Sequence, residues 1–259
     1  MGGYGAVFWT GVRRQSRYRA ALAVGVAANV FFGVLRTALF VALYRQREVA
    51  GGLTLADTLT YVWIIQTVFG AVFVSWNWEF ADSVRSGNVV VDLVRPGDVL
   101  GRLLALDLGR STFTLLTRGV PQLLVAAQLL DLRLPTTPAG VVLLALSFLL
   151  CAVVATEIRF LFGSLAFWTP DYRGWWTFLF SAFWVTGGFL VPIEFFPGAL
   201  RWVAEHSPLA ALLAMPVRVA TGRGAGAAIA LQVTWAVAGV LVCRQVMATA
   251  ERRLVVHGG

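Results

Sequence analysis

The sequence predicts an all-α, polytopic membrane protein of six spans, and three observations carry that prediction. Mean hydropathy is +0.76, with 58% of residues hydrophobic and 13% charged, well away from the composition of soluble domains. Two stretches, 139–156 and 224–243, carry no charged side chain. A helix rising about 1.5 Å per residue needs roughly 20 mainly apolar residues to cross about 30 Å of hydrocarbon. Finally, each apolar run is broken by a short arginine-bearing segment, the way charges flank membrane spans. The 259 residues fit a single transmembrane domain, 1–259, and no segment is long and polar enough for a soluble catalytic domain.

The expected spans are 20–44, 57–78, 103–130, 138–168, 174–192 and 224–246. The third contains Pro121, which removes a helix hydrogen bond that neighbouring groups must re-satisfy. Third and fourth spans are long enough to project beyond the bilayer or to kink. Most of Trp63, Trp76, Trp78, Trp168, Trp175 and Trp176 lie near expected span ends, the position of an interfacial belt. Arginine placement orients the chain: with the N-terminus in the cytoplasm, thirteen arginines lie inside, six outside and two, Arg36 and Arg118, within spans. That bias puts both termini in the cytoplasm.

Composition also excludes functions. All 21 basic residues are arginine, so a phosphate-binding loop of the G-x-x-x-x-G-K-[ST] type has no lysine, and the chain has no conventional ATP site. The net charge of +8 is read as topological, with no nucleic-acid partner. Cys151 and Cys243 sit in apolar runs, and with His206 and His257 they give no metal-ligand spacing. The aromatic residues of the opening segment precede its arginines, the reverse of a signal peptide, so none is expected. No H-E-x-x-H, G-x-S-x-G or clustered aspartate motif appears, and Ser164 and Ser207 beside His206 stand isolated, so no catalytic residue is assigned.

Two segments between spans are more than connectors. In 79–102, the run Ser86, Gly87, Asn88 marks one turn and Arg95, Pro96, Gly97 another. The apolar element between them contains Asp92 and serves either as a cytoplasmic docking surface or as a loop lying on headgroups. The outer segment 191–224 is cut by Pro192, Pro197, Pro208 and Pro216 into pieces shorter than a crossing, which suits re-entrant or interfacial helices. The stretch from Tyr4 to Tyr18 suits a helix on the cytoplasmic surface.

Polar groups within spans are costly in hydrocarbon and face protein or a water-filled cavity. Asp107, Arg110, Thr114, Arg118 and Gln122 recur three or four residues apart, on one helical face. Arg110 and Glu157 lie at matching depth, roughly 30 Å from the outer ends of their spans at about 1.5 Å per residue. They are expected to pair, unless Glu157 pairs near Arg159 instead. Asn29 and Arg36 share a face of the first span, and Arg36 either snorkels to the outer headgroups or faces the pathway. Arg118 serves helix-to-helix bonding or faces substrate. Gln66 on the second span and Trp184 on the fifth are candidates for lining a cavity.

The order of parts resembles the type-2 ATP-binding-cassette (ABC) exporter permeases, most closely the bacterial branch with paired half-size permeases and a separate ATPase. The resemblance is carried by YGAVFWTGVRRQSRYRA before the first span and FVALYRQREVAGGLTLADTLTYVW across the first outer loop. SGNVVVDLVRPGD and GGFLVPIEFFPGALRWVAEHSPL complete it. It implies an interfacial elbow helix at 4–19, a coupling helix within 79–97 that enters a groove of the ATPase, and outer re-entrant helices at 191–223. Arg85, Ser86, Gly87, Asn88, Asp92, Arg95 and Pro96 would form the ATPase-coupling site. The pathway would run between two permeases, identical or different, lined by the second and fifth spans, where Gln66, Phe69, Phe180 and Trp184 lie. ATP and Mg would bind the partner ATPase, and this chain would carry no cofactor. The implied function is export of a hydrophobic or amphipathic compound (a drug, an antibiotic or a lipid-like molecule) across a bacterial inner membrane. The alternatives are a secondary transporter working without ATP, and an integral membrane enzyme acting on lipids.

Overall fold

Every regular element among the described residues is helical; one isolated bridge, Ala50 to Leu53, closes a turn. The computed structural model describes residues 3–17, 19–72, 78–95, 97–169 and 172–257. In order these are α1 (Gly3–Ser16), α2 (Arg19–Tyr44), α3 (Leu55–Val72), α4 (Glu79–Arg85), α5 (Val89–Val94), α6 (Val99–Thr114), a π-helical turn (Leu115–Gly119), α7 (Val120–Leu129) and α8 (Pro138–Ser164). They are followed by α9 (Tyr172–Thr186), α10 (Gly198–Glu205), α11 (Pro208–Ala220) and α12 (Ala225–His257).

The helix starts are written in the sequence. Asp98, Thr137 and Ser207 each accept a hydrogen bond from the backbone N–H three residues on, at 2.9, 3.2 and 3.1 Å. Pro138 and Pro208 take the first helical position, where a missing N–H costs nothing. α3 starts with a reciprocal box: the Thr54 hydroxyl donates to Asp57 at 2.6 Å and accepts from the Asp57 N–H at 3.3 Å.

Among the described residues, four helices are long and apolar enough to cross a membrane: Ala23–Tyr44, Leu55–Val72, Pro138–Phe167 and Ala225–Arg252. The expected third span is a helical rod from α6 to α7, and its anticipated kink is the π turn immediately before Val120 and Pro121. Proline cannot donate to the preceding turn, and the wider π turn absorbs that loss. The expected fifth span, 174–192, is shorter than anticipated: α9 stops at Thr186. Gly188 ends it at φ +80°, and the Tyr61 hydroxyl donates to its carbonyl at 2.8 Å. A side chain there would be strained and would collide with Tyr61.

α3 and α11 form the centre. Val62, Ile64, Ile65 and Val68 of α3, and Ala210, Ala211 and Leu213 of α11, are fully buried. α11 packs against α3, α8 and α12, so much of the proline-cut segment 191–224 is core, while α10 keeps Trp202 and Val203 exposed. The buried threonines of α3 are hydrogen-bonded: Thr60 and Thr67 donate to carbonyls four residues back at 2.7 and 2.8 Å, and Thr58 meets the Tyr44 hydroxyl at 2.7 Å. α2, α8 and α12 turn Phe31, Phe32, Leu35, Val142, Leu149 and Leu241 outward, as a lipid-facing ring does. Trp63 departs from the belt expectation: it is buried, and its indole donates to Thr37 at 3.1 Å.

At the end of the bundle where α3 begins, Asp57 is 1% exposed and holds two arginines from separate loops, Arg133 at 3.2 Å and Arg223 at 2.7 Å. Nearby, Glu205 joins Arg201 at 2.9 Å and Arg218. Burial pushes the Glu205 carboxyl up, but the hydrogen bonds from Arg201 and Arg218 prevail and hold it below its ordinary value. Asp57→Ala should loosen this end by about 1–2 kcal/mol, because the carboxylate is buried while its arginines are half-exposed. Thermal unfolding of the purified chain checks it: an unchanged midpoint would contradict the clamp.

Candidate functional site

The two short helices α4 and α5 project beside the N-terminus of α6, joined by a turn in which Gly87 has φ +77°. Val89 is buried and Leu93 packs with Leu100 and Phe160, while Val90, Val91 and Val94 face outward. Their exposures of 50, 54 and 78% leave an apolar face on a segment otherwise bounded by charge. Arg85, Ser86, Gly87, Asn88 and Arg95 are exposed beside it. Asp92 pairs with Arg95 at 3.3 Å, and Arg102 braces the turn by donating to the carbonyls of Asp92, Arg95 and Gly97. Pro96 lies outside the described residues.

A chain of ion pairs runs from this segment into the bundle. Arg14 of α1 meets Glu79, the first residue of α4, at 3.3 Å, and Glu79 meets Arg110 of α6 at 2.9 Å. Arg110 lies 3.4 Å from Asp107, and Asp107 lies 2.8 Å from Arg159 of α8. Arg110, Asp107 and Arg159 are nearly buried, whereas Arg14 and Glu79 are half-exposed. Alternating signs let two buried guanidinium groups share one carboxylate. The stacked rings of Phe80 and Phe160, 4.8 Å apart, fix α4 on α8. A cleft of about 540 Å³ between α1, α5 and α6 is lined by Arg14, Glu79, Asp92, Arg95 and Arg102. α1 reaches this site by crossing α6 at two glycines: a Cβ on Gly11 would lie 2.1 Å from the Leu106 oxygen, and one on Gly109 2.1 Å from the Phe8 oxygen.

The expected Arg110–Glu157 pair does not form. Residues two apart on a helix point to nearly opposite sides, so with Arg159 turned toward Asp107, Glu157 faces α12, where a Cβ on Gly239 would collide with its Oε2. Glu157 Oε1 is buried with no hydrogen-bond partner among the described residues. The single polar face expected along 107–122 is also divided. Thr114 bonds back to the Arg110 carbonyl at 2.8 Å, and the π turn then shifts the register. Within it, Arg118 lies against Gly25 of α2. Gln122 accepts from Asn29 at 3.0 Å, while Asn29 and Gln66 exchange side-chain-to-backbone bonds at 2.9 and 3.2 Å. Asn29, Gln66 and Gln122 therefore weld α2, α3 and α7, so Gln66 joins a helix contact.

Of the other pathway candidates, Phe69 and Trp184 meet edge to face at 6.0 Å, and Phe189 packs on both at 4.8 and 4.3 Å. Phe180 is in α9, but its side chain lies outside the described residues. Arg36 does not snorkel: its guanidinium stands 5.0 Å above the Phe189 ring with all three nitrogens buried. Phe189, Glu79 and Arg159 were not singled out as site residues. Phe189 lies at the end of the expected fifth span, and Glu79 and Arg159 resemble ordinary charges flanking spans.

A family profile described as ABC-2 family transporter protein matches residues 32–258. No curated protein and no solved structure gives a match to the chain. The matched region takes in the α4–α5 segment, the ion chain from Glu79 to Arg159, the aromatic cluster and helices α10 and α11. The chain belongs to the ABC-2 family of membrane transporter proteins.

Proposed function

We propose that the chain is the permease of an ATP-driven exporter moving a hydrophobic or amphipathic compound out of the cytoplasm or inner leaflet of a bacterial cell membrane. ATP and Mg bind a separate ABC ATPase, and a second permease, identical or related, completes the pathway. The observation that carries this reading is the α4–α5 segment: an exposed valine face, braced by Arg102, and tied through Glu79 to buried charges of α6 and α8. In this reading α5 is the coupling helix seated on the ATPase, α1 is the elbow on the cytoplasmic surface, and both termini are cytoplasmic. A push on α5 reaches α6 and α8 through ion pairs that hold rigid helices together. α10 and α11 close the outer end, and lipid surrounds α2, α8 and α12.

The test is to compare ATP hydrolysis with transport in reconstituted complexes carrying Asp92→Ala or Arg95→Ala. Both variants should insert normally, and each should lower transport per ATP hydrolysed by about tenfold, the equivalent of roughly 1.4 kcal/mol of lost coupling. Wild-type coupling in both would reject the docking site.

A further inference from the structure

We infer that Arg36, with the ring cluster of Phe69, Trp184 and Phe189, forms a binding site for the acidic group of an amphipathic molecule, a carboxylate or phosphate on an apolar body. Calling that molecule the transported substrate rests on the exporter reading; the site itself does not.

Nε and both terminal nitrogens of Arg36 are buried without a hydrogen-bond partner among the described residues. A guanidinium has five N–H donors and remains charged. Left in an apolar setting without acceptors, it is strongly penalised. The guanidinium stands 5.0 Å from the Phe189 ring centroid, and a ring face attracts a cation without filling its directed donor sites. The Tyr61 hydroxyl donates to the Gly188 carbonyl at 2.8 Å and Thr37 accepts from Trp63. One oxygen of Glu194 is held by Arg218 at 3.5 Å, and the other, Oε2, is buried without a hydrogen bond and forms no ion pair with Arg36 among the described residues. No ion pair among the described residues includes Arg36.

No acceptor among the described residues fills these donor sites, so that role is assigned to a bound molecule. The planar fork of a guanidinium matches the paired oxygens of a carboxylate or phosphate. The rings beside it, with centroids 4.3–6.0 Å apart, supply an apolar surface for the rest of the molecule. Arg36 and the rings come from α2, α3 and the end of α9, so relative movement of these helices would open or close the site. Such a site prefers an acid over a neutral compound of the same shape.

The test uses the full chain, with whatever subunits accompany it, in phosphatidylcholine nanodiscs. The probes are dansylaminoundecanoic acid and its methyl ester, followed by dansyl emission. The acid should bind about thirtyfold or more tighter than the ester, and Arg36→Met should erase that difference while leaving ester binding in place. Phe189→Leu should weaken both probes. The acid–ester comparison on the wild-type chain needs no variant, so a misfolded variant cannot shield the inference. Competition separates two sources of the acidic group. Displacement by added phosphatidylglycerol would mean a lipid headgroup, and displacement by dodecyl phosphate alone would mean a free amphipathic acid. Equal binding of acid and ester, or an acid preference that survives Arg36→Met, would overturn the inference. Failure here with ATP-dependent transport intact rejects this site alone; an acid preference without ATP dependence rejects the exporter reading alone.

Discussion

Asp107→Asn is expected to destabilise the protein by on the order of 3 kcal/mol and to abolish coupled transport. Asp107 lies between Arg110 at 3.4 Å and Arg159 at 2.8 Å, and all three side chains are nearly buried. Asparagine keeps the shape but removes the negative charge that Arg110 and Arg159 share. Desolvated cations then face each other with less compensation, and the α6–α8 contact opens. Glu79→Gln is the informative companion. It cuts the same chain where Glu79 is half-exposed, so its cost to folding is about 1 kcal/mol or less. The pair separates stability from transmission. Thermal unfolding should show a large loss for Asp107→Asn and a small one for Glu79→Gln, while both lower transport per ATP hydrolysed. Normal transport in Glu79→Gln would mean that the ion chain only holds the fold.

Gly109→Leu should detach α1 from α6, and Gly11→Ala should do the same in milder form. At either position a Cβ meets a backbone oxygen at 2.1 Å, which no rotamer change relieves, so the helices must separate. Overpacking of this kind costs typically about 1–3 kcal/mol. Here it falls on an α1–α6 contact where the Asp98 N–H donates to the Tyr4 hydroxyl at 3.1 Å. Trypsin reads the outcome, since Arg13 and Arg14 end α1. Cleavage there should accelerate by about tenfold or more in the purified variants, following the larger open population. An unchanged cleavage rate would show that α1 is not held by this crossing.

What the sequence makes legible is what depends on neighbours along the chain. Turn residues bracket α5, caps and prolines start α6, α8 and α11, and unbroken apolar runs mark α8 and α12. The short helix α5 is legible because Ser86 to Asn88 and Arg95 to Gly97 are local turn signals. Contacts across the bundle were not legible, because they depend on rotation of each helix about its axis. Depth alone matched Arg110 with Glu157, yet Arg159, two residues on, faces Asp107. The π turn before Pro121 shifted the register and split the polar face expected along 107–122. Asp57 carries no local signal of its ion pair, because its partner Arg223 lies 166 residues away. Arg36 was visible as an intramembrane charge, whereas its ring partner Phe189 lies past the end of α9 in a stretch expected to be span.

The central claim is that the valine face of α5 seats an ATPase subunit. The most direct measurement is purification of the tagged chain from native membranes in mild detergent, beside a Val91→Asp variant. Val91 is 54% exposed and makes no core contact, so the substitution should leave the fold intact. A stoichiometric ABC ATPase should accompany the wild-type chain and be lost from the variant. Recovery of the wild-type chain alone, with transport that survives ATP depletion, would contradict the account.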